Sequence, residues 1–181
     1  MKKRILTWLL AISMLGSLLT VPAGAAAVTK FSDVSDSYTA TAVETLRLMG
    51  VLDGYGDGTF RPDTILNRAQ FCKMAVYAMD GSGELGRYCT ITIFPDVKPS
   101  HWASAYINMA SKNGIISGFA DGKFKPGQTV TAGQAVTILM RGLGYKDEDM
   151  GGVWPQSYLA EAQTNGLLKS TGITSAYAGL T

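Results

Sequence analysis

The sequence predicts a mostly α-helical protein built from tandem helix–loop–helix repeats. Three observations support this fold class. Blocks of similar residues recur about 64 residues apart, apolar residues inside each block recur at helical spacing, and glycines and cap residues mark where helices end and begin. One such unit is too small to bury its own apolar face, so we expect the copies to pack together around a shared core.

Two full copies and part of a third account for most of the chain after residue 27. The segment GVLDGYGDGTFRP at 50–62 returns 64 residues later as GIISGFADGKFKP at 114–126. FSDV at 31–34 returns as FPDV at 94–97, and LNRAQF at 66–71 returns as VTAGQA at 130–135. The third copy is partial, and its residues stand 52 positions after their counterparts in the second copy: Trp154, Tyr158, Leu159, Ala162, Gly166, Leu167 and Leu168.

The first helix of each copy is predicted from an apolar stripe that ends at a glycine. In the first copy, Val43, Leu46 and Met49 precede Gly50. In the second copy, Ser100 is predicted to cap a helix that ends at Asn113 and Gly114, because glycine commonly follows a helix C-terminus. The apolar stripe of that helix is Ala103, Tyr106, Ile107 and Ala110.

The second helix of each copy is predicted to follow a tight turn, Asp57-Gly58 or Asp121-Gly122. Asn67 with Gln70, and Thr131 with Gln134, then have the spacing of a capping box. The apolar positions of both helices follow the pattern i, i+3, i+4, i+7: Phe71, Met74, Ala75 and Ala78, then Ala135, Ile138, Leu139 and Gly142. The Gly- and Ser-rich segment 80–89 is predicted to connect the copies.

The N-terminus has the pattern of a secretory signal peptide. Lys2, Lys3 and Arg4 precede an apolar run from Ile5 to Val21, and small residues with Ala-x-Ala spacing follow at 23–27. We therefore expect residues 1–27 to be a cleaved signal and the protein to be exported. The alternative is an uncleaved anchor, but four small or polar residues interrupt the apolar run, which is marginal for spanning a bilayer.

The two cysteines leave two interpretations open. A disulfide between Cys72 and Cys89 would suit an exported protein and would close a loop of about 17 residues. The other interpretation is that Cys72 is a small buried residue, because Val136 stands at the equivalent position in the second copy.

Composition and motifs argue against several function classes. After the first four residues, acidic residues slightly outnumber basic ones, so no basic face for nucleic acid is expected. Two cysteines and one histidine are too few for a metal site, and Tyr55 and Thr64 stand where a calcium loop needs oxygen ligands. No nucleophile motif accompanies His101. We expect no cofactor, no metal and no enzyme activity.

The ordered motifs resemble the S-layer homology domain, whose pattern is F-x-D-V, W-A, G-I-x-x-G-[FY]-x-D-G-x-F-x-P and [ST]-R-A-E. The resemblance implies a first repeat with its connector at 28–93, a second at 94–144 and a partial third at 145–181. It implies a pseudo-threefold helical bundle whose inter-repeat grooves bind secondary cell wall polymers, often with pyruvyl-ketal sugars; a peptidoglycan-linked glycan is the alternative partner. It therefore implies non-covalent anchoring of an exported protein at the bacterial cell wall or S-layer.

The predicted ligand-binding residues follow partly from the resemblance. Arg68 lies in the first turn of a helix, where a bound anion would meet both its guanidinium and free helix amides. The other predicted contacts are Asn67, Gln70, Trp102, Gly118 and Asp121. Trp102 shares its position with Tyr38 and Trp154, and such aromatic rings suit either sugar stacking or burial between repeats. Turn chemistry alone also explains Asp121.

Two features keep other functions open. Ala132 replaces the expected arginine in the second copy, and the sequence stops at Thr181, where a third capping residue is expected. A module of this kind is expected either to serve as a degenerate structural copy with little affinity for glycans or to anchor a larger enzyme whose catalytic domain lies elsewhere. A missing third helix would leave Leu159, Leu167 and Leu168 uncovered and favour self-association.

Overall fold

The computed structural model describes residues 30–79, 82–169 and 171–180, so the predicted signal peptide lies outside the described residues. Their regular structure is helical, which confirms the mostly α fold class. Outside the helices they contain two isolated β-bridges and no extended strand. The α-helices are α1 (Ser37–Leu48), α2 (Arg68–Ala78), α3 (Ser104–Lys112), α4 (Ala132–Gly142) and α5 (Gln156–Thr164), and the 3-10 helices are η1 (Ser82–Tyr88) and η2 (Asp147–Asp149).

Both predicted capping boxes are present. The Asn67 side chain accepts from the Gln70 amide at 2.9 Å, and the Gln70 side chain accepts from the Asn67 amide, also at 2.9 Å. Thr131 and Gln134 repeat the arrangement at α4. Each cap satisfies helix amides that would otherwise lack a partner, which stabilises a helix by about 1 kcal/mol.

The predicted cap of α3 is wrong. The helix begins at Ser104, its N-cap is Ala103, and no side chain caps it. Residues 98–103 form turns instead: the His101 amide donates to the Lys98 carbonyl, and His101 Nδ1 accepts from the Ala103 amide at 3.1 Å. Ser100 therefore stands too far upstream to reach the first turn.

A glycine in the left-handed region follows the first helix of each copy. The φ angles of Gly50, Gly114 and Gly166 are 72°, 71° and 70°. Only glycine adopts this conformation without strain from a Cβ, so the chain can leave all three helices by the same turn.

The Asp of each F-x-D-V motif holds the following loop. Asp33 accepts hydrogen bonds from the amides of Phe60 and Arg61, and Asp96 accepts from those of Phe124 and Lys125 at 2.9 and 2.7 Å. Because Arg61 and Lys125 have positive φ, these bonds hold a backbone conformation that such residues rarely adopt.

Helices of successive segments of the chain pack against one another. Helix α2 packs on α3 and α4, and α4 packs on α5. The connector forms η1, which packs on α3, where buried Asn108 donates to the Tyr88 and Ile91 carbonyls. Of the predicted apolar stripe of α4, Leu139 is 42% exposed, and Val136 and Met140 are buried instead.

Both cysteines are free thiols, so the disulfide alternative is not present. Cys72 is fully buried in the α2 core, and burial raises the pKa of its thiol to about 12. Cys89 is exposed at the end of η1. Cys72 therefore serves as a small apolar core residue.

Three backbone hydrogen bonds form a closed ring between segments that are far apart in the chain. The Leu66 amide donates to the Leu180 carbonyl, the Leu180 amide to the Val130 carbonyl, and the Val130 amide to the Leu66 carbonyl, at 2.9, 3.3 and 3.0 Å. Leu66 and Val130 each directly precede the N-cap of a second helix. The ring therefore ties the C-terminal segment to the starts of the second helices in the first and second copies.

Candidate functional site

An open groove of about 470 Å³ runs between parts of all three predicted copies. One wall is α4, a second is the loop 116–120, and a third consists of residues from the segment 147–158. Arg68, in the first turn of α2, contributes to the same groove. The described part of the chain has a second, larger and mostly apolar cavity, which shares Ser117, Arg141 and Asp147 with this groove.

Arg68 is buried at the edge of the groove, with 5% of its surface exposed. Its Nε donates to the Phe124 carbonyl at 2.9 Å, Nη2 to the Ser117 carbonyl at 3.2 Å, and Nη1 to Gln134 Oε1 at 3.2 Å. The guanidinium also lies over the rings of Phe119 and Phe124, 4.7 and 4.5 Å from their centroids. Arg68 thus connects the first copy to the loop and second helix of the next.

No carboxylate among the described residues forms an ion pair with Arg68, although the charge of Asp96 acts on it from a greater distance. All its hydrogen-bond acceptors are neutral oxygens, and no ion pair involves it within the described ranges. Desolvation lowers its pKa, but an arginine remains charged in proteins. These bonds use three of its five N–H groups, so Arg68 places a cation without an ion-pair partner at the edge of the groove.

The helix amides expected to help bind an anion are already occupied. The Arg68 amide donates to the Gln128 carbonyl at 2.9 Å and the Ala69 amide to the Pro126 carbonyl at 3.0 Å. At α4, the amides of Ala132 and Gly133 donate to carbonyls of the C-terminal segment. The predicted amide contribution is therefore wrong, because backbone carbonyls of the loop 126–128 and of residues 176–178 already accept from these amides.

A second arginine lies in the same groove and was not predicted. Arg141 Nε and Nη2 donate to the two carboxylate oxygens of Asp147 at 2.9 and 2.7 Å, and Nη1 donates to Ser117 Oγ at 3.0 Å. Tyr158 donates to Asp147 at 2.6 Å, and these bonds lower the pKa of the Asp147 carboxyl. Arg141 is therefore neutralised, unlike Arg68.

The three equivalent aromatic residues are exposed rather than buried between repeats. Tyr38, Trp102 and Trp154 have 68%, 56% and 51% of their surface exposed. Trp154 lines the groove, and its Nε1 donates to Thr137 Oγ1 at 3.0 Å. Trp102 stacks on His101 and is not among the groove residues.

Of the remaining predicted contact residues, one lines the groove and three have structural roles. Gly118 lines the groove, and an added Cβ there would lie 2.6 Å from the Phe94 ring. Asn67 and Gln70 cap α2, and Asp121 accepts from the Lys123 amide and pairs with Lys125 at 3.0 Å. Of the predicted set, Arg68 and Gly118 are brought together in the groove.

The described ranges contain no cluster of His, Cys, Asp or Glu suited to a metal ion. Nor does any helix within them combine the length and apolar character needed to cross a bilayer.

Comparisons with known proteins agree with the repeats. The family model of the S-layer homology domain matches residues 30–72 and 93–136. A cell surface protein of Thermoanaerobacter kivui is 38% identical over 160 residues, which is 87% of this chain and 20% of the relative. A cellulosome-anchoring protein of Acetivibrio thermocellus is 30% identical over 115 residues, 62% of this chain and 26% of the relative.

One relative carries an enzyme name. An uncharacterised cell wall amidase of Bacillus anthracis is 29% identical over 181 residues, 94% of this chain and 33% of the relative. The chain thus spans a third or less of the length of these three relatives. The chain belongs to the S-layer homology domain proteins, with one domain at 30–72 and a second at 93–136, and this membership places it at the cell wall or cell surface.

Proposed function

We propose that the chain anchors a protein to the cell wall by binding an anionic wall polysaccharide in the Arg68 groove. The observation that carries the proposal is the charge of Arg68, which is buried beside an open groove without a carboxylate partner among the described residues. A carboxylate on a sugar, such as a pyruvate ketal, would supply the missing negative charge. The exposed ring of Trp154 would pack against the C–H face of the same sugar.

The pseudo-threefold arrangement is part of this proposal. The ring formed by Leu66, Val130 and Leu180 supports it, as do the matching φ angles of Gly50, Gly114 and Gly166. By the same argument we propose that residues 145–181 are a partial third repeat, since its segment 147–158 lines the groove.

The proposal is tested with one sugar in two charge states. Isothermal calorimetry would compare an N-acetylhexosamine carrying a 4,6-pyruvate ketal with its methyl ester, which has nearly the same shape but no charge. We expect binding of the acid, and at least tenfold weaker binding of the ester, because a charge-assisted bond to Arg68 is lost. Equal affinities for the acid and the ester would overturn the proposed preference for an anionic sugar. This comparison needs no protein variant.

A second candidate is a purely structural module. It is favoured by the observation that Nε, Nη1 and Nη2 of Arg68 each already donate to a protein oxygen. In that case the folded chain would bind neither sugar and would not sediment with cell walls. Self-association remains a prediction for this candidate, but Leu159 is buried, whereas Leu167 is 43% exposed.

A further inference from the structure

The loops at 50–64 and 114–128 have the same backbone conformation. Arg61 and Lys125 occupy the same left-handed region, with φ angles of 61° and 59°. Equivalent backbone hydrogen bonds close the two turns, from the Tyr55 amide to the Thr59 carbonyl and from the Phe119 amide to the Lys123 carbonyl, both at 2.8 Å. Because the two backbones match, their carbonyl oxygens are presented in corresponding arrangements.

The loop at 114–128 holds the start of α2 through four backbone carbonyls. Two of them accept from the guanidinium of Arg68, and two accept from the amides of Arg68 and Ala69. These carbonyls belong to Ser117, Phe124, Pro126 and Gln128. At α4, the first two helix amides donate in the same way to the carbonyls of Ala176 and Ala178. The first turns of α2 and α4 are therefore each capped by a distant segment of the chain.

The four corresponding carbonyls of the loop at 50–64 have no hydrogen-bond donor among the described residues. They stand 64 positions earlier in the sequence, at Asp53, Phe60, Pro62 and Thr64. We call these four carbonyls, together with the Tyr55 ring and α1, the acceptor surface.

The aromatic rings of the acceptor surface are also less covered than their counterparts. Phe60 is half-buried, whereas Phe124 is 1% exposed. The Phe119 ring carries two cations, Lys125 at 4.3 Å and Arg68 at 4.7 Å from its centroid. The Tyr55 ring carries Arg61 at 4.0 Å and no second cation from the described residues. The position that corresponds to the Arg68 guanidinium is therefore unfilled.

Helix α1 lacks a neighbour that α3 has. Helix α3 packs on α2, where the hydroxyls of Tyr106 and Tyr77 are 3.3 Å apart. Ala42 of α1 stands at the position of Tyr106 and is exposed, and no helix within the described ranges packs on α1 in this way. A helix of the α2 type would cover α1 and bring its first turn to the four carbonyls.

We propose that the acceptor surface binds a helix of another protein whose first turn begins with arginine. The starts of α2 and α4 are already held, so neither can fill it. The incoming guanidinium would donate to the carbonyls of Asp53 and Phe60 and lie over the Tyr55 ring. The first two amides of the incoming helix would donate to the carbonyls of Thr64 and Pro62.

The test is an NMR titration of the isotope-labelled full chain with a synthetic peptide. The peptide has the sequence of residues 66–79, which includes the cap of α2, and carries Cys72→Val, the residue that stands in α4. We expect saturable shifts of the amide signals of 53–64 and no change at 117–128, where α2 itself is bound. Equal shifts in both loops, or no shift in either, would overturn the proposal.

A second peptide tests the guanidinium. With Arg68→Met the peptide keeps its cap and apolar face but cannot donate to two of the carbonyls, so we expect about tenfold weaker binding. Equal affinities for the two peptides would overturn the preference for arginine. Shifts of the 53–64 signals that grow with the concentration of the chain alone would make a second copy the occupant and overturn the assignment to another protein.

A pair of chain variants tests the position of the incoming arginine. Tyr55→Ala removes a ring that is 37% exposed, and we expect it to weaken peptide binding about threefold. Tyr177→Ala is the matched control, because this tyrosine is 69% exposed and lies outside the acceptor surface. Equal losses in the two variants would contradict the placement of the arginine over Tyr55. None of these outcomes depends on sugar binding in the Arg68 groove.

Discussion

Arg68 and Gln134 connect the first turns of two second helices, because Arg68 Nη1 donates to Gln134 Oε1 at 3.2 Å. Gln134 also closes the capping box of α4, so one amide oxygen serves both the helix start and the inter-copy contact. The arginine that faces the groove is therefore also a structural element of the bundle. Substitutions at this position are expected to affect stability and binding together.

Arg68→Met is expected to lower the free energy of unfolding by about 2 kcal/mol. The substitution leaves the carbonyls of Phe124 and Ser117 without their donor, and unsatisfied polar groups of this kind are costly. Urea denaturation would measure the change. The matched control is Arg61→Met, whose exposed guanidinium pairs with exposed Asp57 in solvent and should contribute clearly less than Arg68. Equal losses for the two variants would contradict this description of Arg68.

Gly118→Ala is expected to destabilise the protein by about 1–3 kcal/mol. The added methyl group would lie 2.6 Å from Phe94 Cε1 and 2.9 Å from the Lys123 carbonyl oxygen, and the backbone cannot move away easily. Gly127→Ala serves as the control, because no atom lies within 4 Å of its added Cβ. Thermal denaturation of both variants measures the difference, and an unchanged melting temperature for Gly118→Ala would refute the contact.

The bonds to Asp147 are expected to contribute stability that depends on pH. Tyr158 and Arg141 hold its pKa below the ordinary value of 3.8, so this contribution is complete above pH 3.8 and is lost as the pH falls through the lower, folded-state pKa. Asp147→Asn should therefore be less stable than the wild type near neutral pH, with a gap that narrows in acid.

Denaturant unfolding across this pH range would measure the difference in the free energy of unfolding between Asp147→Asn and the wild type. Asp149→Asn is a suitable control, since the Asp149 side chain makes no hydrogen bond or ion pair with the described residues. A gap that stayed constant or widened in acid would show that the Asp147 charge is not what stabilises this wall of the groove.

The two thiols are expected to differ in reactivity. In the folded protein, iodoacetamide should modify exposed Cys89 and leave Cys72 unmodified, because Cys72 is fully buried and its pKa is raised to about 12. Mass spectrometry of the intact chain and its peptides would locate the label. Modification of both cysteines should appear only in denaturant, and early labelling of Cys72 in the native protein would contradict its place in the core.

The helix ends could be predicted from the sequence because they depend on local chemistry. The capping boxes at Asn67 and Thr131 and the stop at Gly114 require only residues within a few positions of one another. Ser100 shows where such reasoning fails: it is a good cap residue by type, but the turn at His101 moves the helix start to Ser104.

The groove was only partly predictable, because its walls come from segments far apart in the chain. Arg68 could be identified from the sequence as a cation in the first turn of a helix. The structure adds that its backbone amide already donates to the Gln128 carbonyl. Arg141 and Asp147 gave no local signal, since they form a wall only once η2 packs beside the end of α4. The sequence could not distinguish the exposed rings of Trp102 and Trp154. In the structure, Trp154 lines the groove and Trp102 does not.

Co-sedimentation with cell walls tests the anchoring claim most directly. The chain would be mixed with sacculi that carry their secondary polymer, with sacculi whose polymer carboxylates are esterified, and with sacculi stripped of the polymer. The account predicts sedimentation with the first preparation and little with the other two, because the unpaired charge of Arg68 requires an anionic partner. Equal sedimentation with all three preparations of a folded chain would contradict it.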